Sequence, residues 1–319
     1  YALVAICKDE PNTIVAARKD SPLVIGVGDN ENFIASDIPA FLPYTKRVIY
    51  LDEGDMVELT NSSVEVYSKD GTKKQYKIKH ISWNIEDAAK SGFAHYMLKE
   101  IYDQPESIQE ALRGRISDFD YSISLPDQVE ELLSHPFESI SIVACGTSYY
   151  AALLGKYLIE SVTSLPVEIS YASEYRFFGK NNSSTLVIGI TQSGETADTL
   201  AALKEARKNG ASTLAITNII GSTATRITDA YLLMQSGPEI GVAATKTFTS
   251  QIIILSLISL YLSLRYNEIG TVEFHHHIQG LKSLARNIRT VLDTIEDIKN
   301  IAKQLSTANS VFFIGRGVW

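Results

Sequence analysis

Three short stretches hold most of the side chains that could do chemistry: ACGTSYY at 144–150, TQSGET at 191–196 and SGPEIGVAATKT at 236–247. Each combines Ser or Thr hydroxyls with a glycine that lets backbone N–H groups face a ligand, and each runs into a helical pattern. The first turn of a helix has N–H groups without internal acceptors and carries partial positive charge, so such a corner can hold a phosphate dianion without a lysine. A blander role exists for one corner taken alone. Ser193 could cap a helix starting at Glu195, with Glu195 favoured in the first turn by the helix dipole. Repetition of the pattern at successive strand ends favours phosphoryl binding over capping.

Other reactive residue types fit less well. Cys145 precedes a helix start, where a thiolate is stabilised, but no base accompanies it and a small buried hydrophobe is the simpler reading. Lys246 either reaches a ligand or occupies a solvated helix end. His275, His276 and His277 are consecutive, so they point in different directions round a helix and read as a solvated face rather than a metal site. GVGDNE from Gly26 lacks the third glycine and the following helix of a dinucleotide pattern, and no phosphate-binding loop of the G-x-x-x-x-G-K type occurs. No metal and no cofactor are expected.

The elements that must position these corners follow from hydrophobic patterning. After Leu132 apolar strands alternate with helices: SISIVACG, PVEIS, TLVIGIT, STLAITN and AYLLMQ, with helices expected from Ser148, near Ser173, from Glu195 and from Thr245. Near-continuously apolar strands in this order predict an α/β fold, a parallel sheet flanked by helices, whose ligands sit beyond the carboxyl ends of the strands. Ahead of it, Tyr1 to Tyr76 is β-rich, with turns at Asp29-Asn30, Asp52-Glu53-Gly54 and Asp70-Gly71. Two helices broken at Pro105 are expected between Ile81 and Arg115 as a connector. A helical stretch is expected from Glu273 to Leu305, followed by a strand in SVFFIGRG that echoes SISIVACGTS, as the start of a second copy would.

The 319 residues suffice for about two domains, and the net charge of −8 argues against nucleic-acid binding. Two cysteines in apolar segments fit a reducing compartment. The apolar run Phe248–Leu264 contains serines and reads as a core helix, so no membrane partner is expected. The ends, YALVAI without a Met and SVFFIGRGVW, read as those of a fragment.

Five blocks in collinear order, SPLVIGVGDNENFIASDIPAFLP, HYMLKEIYDQPESI, ACGTSYYAAL, TQSGETADTLAALKEA and EIGVAATKTFTSQ, resemble the glutamine:fructose-6-phosphate amidotransferase family over essentially the whole chain. The resemblance implies the carboxyl-terminal part of an Ntn-type glutaminase domain at 1–70 and an interdomain linker with helices at 71–131. It implies a first sugar isomerase (SIS) domain at 132–271, then a helical connection and the truncated start of a second SIS domain at 272–319. The implied reaction is glutamine-dependent conversion of fructose 6-phosphate to glucosamine 6-phosphate, in a cytoplasmic homodimer.

By the same resemblance Ser148, Thr191, Gln192, Ser193 and Thr196 match the phosphate-binding set, with Thr191 in place of the usual bacterial serine. Cys145, Thr147 and Val242 match neighbours of the sugar, Ala244 stands where a serine is common, and Gly146 and Lys246 complete the candidate site. The glutaminase cysteine would precede Tyr1 and the isomerase lysine, glutamate and histidine would follow Trp319. No catalytic residue is therefore expected in this chain, which would carry most of the phosphate cradle but be inactive alone. A rival is an SIS-type sugar-phosphate-binding regulator, or a deglycase without amidotransfer; the β-rich segment at 1–70 counts against both.

Overall fold

The computed structural model describes residues 1–19, 21–36, 38–81, 90–179 and 181–317. The amino-terminal part forms two antiparallel sheets. One runs in the order Ala2–Cys7, Glu10–Arg18, Met56–Leu59, Val64–Tyr67, Lys73–Lys74, the other Asn32–Ala35, Val24–Val27, Arg47–Tyr50, Lys79–His80. Alternation decides which face is buried: Val57, Leu59, Val64 and Val66 join Ala16, Ile25 and Ile49 in a core, while Glu58 and Glu65 between them stay outside it. The run from Lys46 to Thr60 splits between the two sheets at the expected Asp52-Glu53-Gly54 turn, where Asp55 N–H donates to Asp52 O at 3.1 Å.

The connector contains the helices Tyr96–Tyr102 and Gln104–Leu112. Pro105 lies in the first turn of the second helix, where its missing N–H costs nothing, so the break falls one residue pair earlier than the proline itself. Ile108 and Ala111 pack into the core of the carboxyl-terminal part, so the connector is an integral layer of it.

That carboxyl-terminal part is the expected α/β unit. Its five strands are parallel and lie in the order Val167–Tyr171, Ser139–Ala144, Thr185–Ile190, Ser212–Thr217, Ala230–Leu233. Ile142 sits between Ile169 and Ile188, and all six residues of Thr185–Ile190 are buried, as both-faces-covered strands require. The helices Thr147–Val162, Ala172–Phe178, Ala197–Lys208, Thr223–Ile227 and Lys246–Arg265 follow the strands. Helix Lys246–Arg265 is long and apolar enough to cross a membrane by composition, but two-thirds of its apolar window is buried, as the core-helix reading expects. Gly155 lets Thr147–Val162 approach it closely: a Cβ there would stand 2.8 Å from Leu255 Cδ1.

Sequence order and spatial order of the strands disagree at one place. The chain's first and third parallel strands are neighbours, with the second outside the first and the fourth and fifth beyond the third. At such a reversal the loops leaving two adjacent strands diverge to opposite faces and open a crevice at their carboxyl ends. Those loops are 145–146, running straight into helix Thr147–Val162, and 191–196.

The helical stretch expected from Glu273 to Leu305 is present as two consecutive helices, Thr271–Leu292 and Ile295–Leu305. One sequence expectation is corrected. SVFFIGRG is not a strand within the described residues: Phe312, Phe313 and Ile314 are 86–96% exposed, and no neighbouring strand pairs with them.

Candidate functional site

Cys145, Thr147, Ser148, Thr191, Gln192, Ser193, Thr196, Val242 and Ala244 line one cavity of about 200 Å³ at the strand-order reversal, with Ile190, Glu239 and Gly241 completing the wall. Gly146 adjoins it as the residue preceding helix Thr147–Val162, held at φ 56° and ψ −135°, a region few side chains tolerate. Gly194 turns the second loop at φ 68°.

Neither helix that starts at the cavity is capped by a side chain. Gly146 and Thr196 occupy the N-cap positions of Thr147–Val162 and Ala197–Lys208 without a side-chain cap hydrogen bond. Two sets of first-turn amides with their partial positive charge therefore adjoin one cavity. The third corner differs. Glu239 Oε1 accepts hydrogen bonds from Thr245 N at 2.9 Å and Thr247 N at 3.2 Å, and Thr247 Oγ1 donates to its other oxygen. The start of Lys246–Arg265 is thus supplied with an anion by the chain itself, and the two earlier corners are the ones with amides to spare.

The capping alternative for Ser193 is also corrected. Helix Ala197–Lys208 begins two residues later than expected, and Ser193 Oγ accepts from Glu195 N at 3.2 Å within the preceding turn. Glu195 lies outside the helix and pairs with Arg18 at 2.5 Å. Thr191 is 2% exposed; its hydroxyl accepts from Gly194 N at 3.2 Å and lies 2.8 Å from Thr196 Oγ1, so it braces the turn from inside.

Lys246 is placed elsewhere. It is 3% exposed, its Nζ is 3.1 Å from Asp103 Oδ2, which also pairs with Lys99 at 2.7 Å, and it lines a separate cavity of about 780 Å³. It reaches neither the small cavity nor solvent, because the half-buried carboxylate of Asp103 in the connector pairs with it first. Cys145 is half-buried with Thr199 Oγ1 at 4.0 Å from its sulfur, and no base stands beside it among the described residues.

Three residues went unnoticed in sequence. Gln251, 1% exposed, donates from Nε2 to Ser148 Oγ at 3.0 Å. An amide inside the apolar run FTSQIIILS was the available signal. Glu100 of the connector accepts from Ile240 N at 2.6 Å and Gly241 N at 3.0 Å, fixing the third loop, and Glu239 caps it; neither pairing is visible locally.

This parallel sheet, with hydroxyls and uncapped helix starts at its reversal point, is a ligand-binding type of α/β domain, and residues 135–261 match the SIS domain family model. Over its full length the chain is related to the glutamine–fructose-6-phosphate aminotransferases (isomerizing). It is 44% identical over 320 residues to the one from Caldanaerobacter subterraneus subsp. tengcongensis, covering 100% of this chain and 52% of that protein. It is 42% identical to the one from Methanosarcina acetivorans, covering 99% of this chain and 52% of that protein. Among solved structures, the C-terminal domain of glucosamine-fructose-6-phosphate aminotransferase from Francisella tularensis superposes with a TM-score of 0.65 at 34% identity, covering 69% of this chain and 61% of that one. The chain spans about half the length of the relatives it matches.

Proposed function

We propose that this chain holds the sugar-phosphate cradle of a glutamine-dependent enzyme that converts fructose 6-phosphate to glucosamine 6-phosphate. The observation that carries the reading is the pair of uncapped helix starts facing one hydroxyl-lined cavity at the sheet's reversal point. The phosphoryl oxygens accept from the hydroxyls of Ser148, Ser193 and Thr196 and from first-turn amides. Cys145, Thr147, Val242 and Ala244 border the sugar. Thr191 shapes the turn, and Gln192 supports it from the backbone, its carbonyl accepting from Asn218 N at 3.0 Å.

The names of the full-length relatives support the wider assignment. Residues 1–70 are the later part of a glutaminase domain, 71–131 the linker, 132–271 the first SIS domain and 272–319 the approach to a second one. Glutamine is the nitrogen donor, the assembly is a homodimer, and the compartment is the cytoplasm.

Titration calorimetry of this chain with fructose 6-phosphate, and with fructose as the control lacking the phosphoryl group, tests the reading. Heat from the phosphate ester and none from fructose is the expected result. Equal response to both, or binding that survives replacement of Ser148, Ser193 and Thr196 by alanine, would refute it.

A further inference from the structure

Arg18 ends the strand Glu10–Arg18 in the antiparallel part and is 1% exposed. Its Nη1 donates to Leu51 O at 2.8 Å, and its Nη2 donates to Glu195 Oε2 at 2.5 Å and to Thr223 Oγ1 at 2.8 Å. Thr223 completes the knot: its N–H donates to Glu195 Oε1 at 2.8 Å and its hydroxyl to Glu195 Oε2 at 2.8 Å. Glu195 stands between Ser193 and Thr196, the two hydroxyls of the second loop that line the cavity, yet it does not line the cavity itself.

Desolvating both members of an ion pair consumes most of what their attraction returns, so a buried pair is weak evidence of a stabilising device. Fixing one geometry is the better account where such a pair sits beside a ligand loop. Nor is the knot needed to hold the two parts together. Ile219 packs with Ile38, Phe41, Val48 and Ile81, away from the cavity, while Arg226, which donates to Asp52, also donates to Thr223 Oγ1 at 3.2 Å and so borders the knot.

We propose that Arg18 is a positioning residue for the phosphoryl cradle: acting through Glu195, it sets the turn 193–196 and hence where the Ser193 and Thr196 hydroxyls stand. The β-rich part thereby contributes to a site it does not touch. This inference rests on the phosphoryl assignment of the cavity.

The test titrates fructose 6-phosphate into the whole chain as wild type, Arg18→Met, Arg18→Lys, Glu195→Gln, Arg18→Met combined with Glu195→Gln, and Asp52→Asn. Backbone hydrogen exchange is followed over 191–196 and over 139–144. Arg18→Met is expected to weaken binding by about tenfold, because the loop must be ordered at binding instead of beforehand. Arg18→Lys restores part of the loss, and the double variant binds no worse than the weaker single one. Asp52→Asn, which removes the carboxylate partner of Arg226 across the same seam and leaves Glu195 untouched, stays within about twofold of wild type. Exchange accelerates at 191–196 and not at 139–144.

Should Arg18→Met not fold, Glu195→Gln and Thr223→Val make the same measurement from the other side of the knot. Wild-type binding left unchanged by these variants, with unchanged exchange at 191–196, overturns the role of Arg18 alone. Absence of fructose 6-phosphate binding by the wild type overturns the phosphoryl assignment and this role with it.

Discussion

Gln251 donates a hydrogen bond to Ser148 across the contact of helices Lys246–Arg265 and Thr147–Val162, Nε2 to Oγ at 3.0 Å. With one lone pair of Ser148 engaged, its own proton is left for an acceptor in the cavity. Replacing Gln251 by leucine keeps the volume and frees the serine to rotate. Fructose 6-phosphate affinity, measured by calorimetry, is expected to fall by about tenfold or less, the net worth of one hydrogen bond at ~1 kcal/mol. The thermal midpoint is expected to hold or rise, because Gln251 Oε1 is buried without a hydrogen-bond partner and its removal relieves that cost.

Two glycines of the cradle separate backbone strain from crowding. A Cβ on Gly146, at φ 56°, meets nothing within 4 Å, so Gly146→Ala pays only for the conformation, about 1–3 kcal/mol. A Cβ on Gly194, at φ 68°, would fall 2.0 Å from Ser222 Oγ and 2.8 Å from Thr217 Oγ1. Gly194→Ala is therefore expected to destabilise the chain more than Gly146→Ala in urea denaturation, and to abolish fructose 6-phosphate binding by moving the turn.

Acid is expected to open one seam between the β-rich part and the SIS domain. Burial raises the Asp52 carboxyl, but the hydrogen bond from Lys74 and the charges of Arg226, Lys74 and Arg18 outweigh it and hold the group below its ordinary value of 3.8. A carboxyl depressed in the folded state contributes its full stability above the unfolded value and loses it as pH falls through the folded one. The advantage of wild type over Asp52→Asn in thermal midpoint should be constant at neutral pH and shrink below about 3.8. An advantage that shrinks already near pH ~6, where histidine titrates, would contradict the assignment.

Close helix approach at Gly155 supports the site from behind. Gly155→Val would drive methyl groups into Leu255, whose Cδ1, Cδ2 and Cγ lie 2.8, 3.1 and 3.3 Å from an added Cβ. Overpacking of this kind costs about 1–3 kcal/mol. The same shift separates Gln251 from Ser148, so sugar-phosphate affinity should fall together with stability, and the companion Leu255→Ala should recover part of both.

The parallel sheet was legible because strands buried on both faces leave continuous apolar runs, as Thr185–Ile190 does, and the corners were legible because hydroxyls and glycine end those runs. Acidic partners were not. Glu195 meets Arg18 across 177 positions and Glu100 meets Ile240 across 140, pairings that only the assembled fold creates. The partner of Lys246 was hidden for the same reason, since Asp103 lies 143 positions away. SVFFIGRG has the composition of a strand, but composition supplies no neighbour, and pairing is what makes a strand.

Among the described residues lining the cavity, Glu239 is the one charged side chain, and the whole chain carries −8. On the proposed reading, a phosphate ester approaching such a molecule would be repelled at long range and gripped only by dipoles at contact. Encounter is then unsteered, so discrimination between ligands resides in dwell time rather than capture rate. Added electrolyte, which weakens anion capture at lysine- or arginine-rich pockets, would here leave the grip intact and slightly hasten arrival.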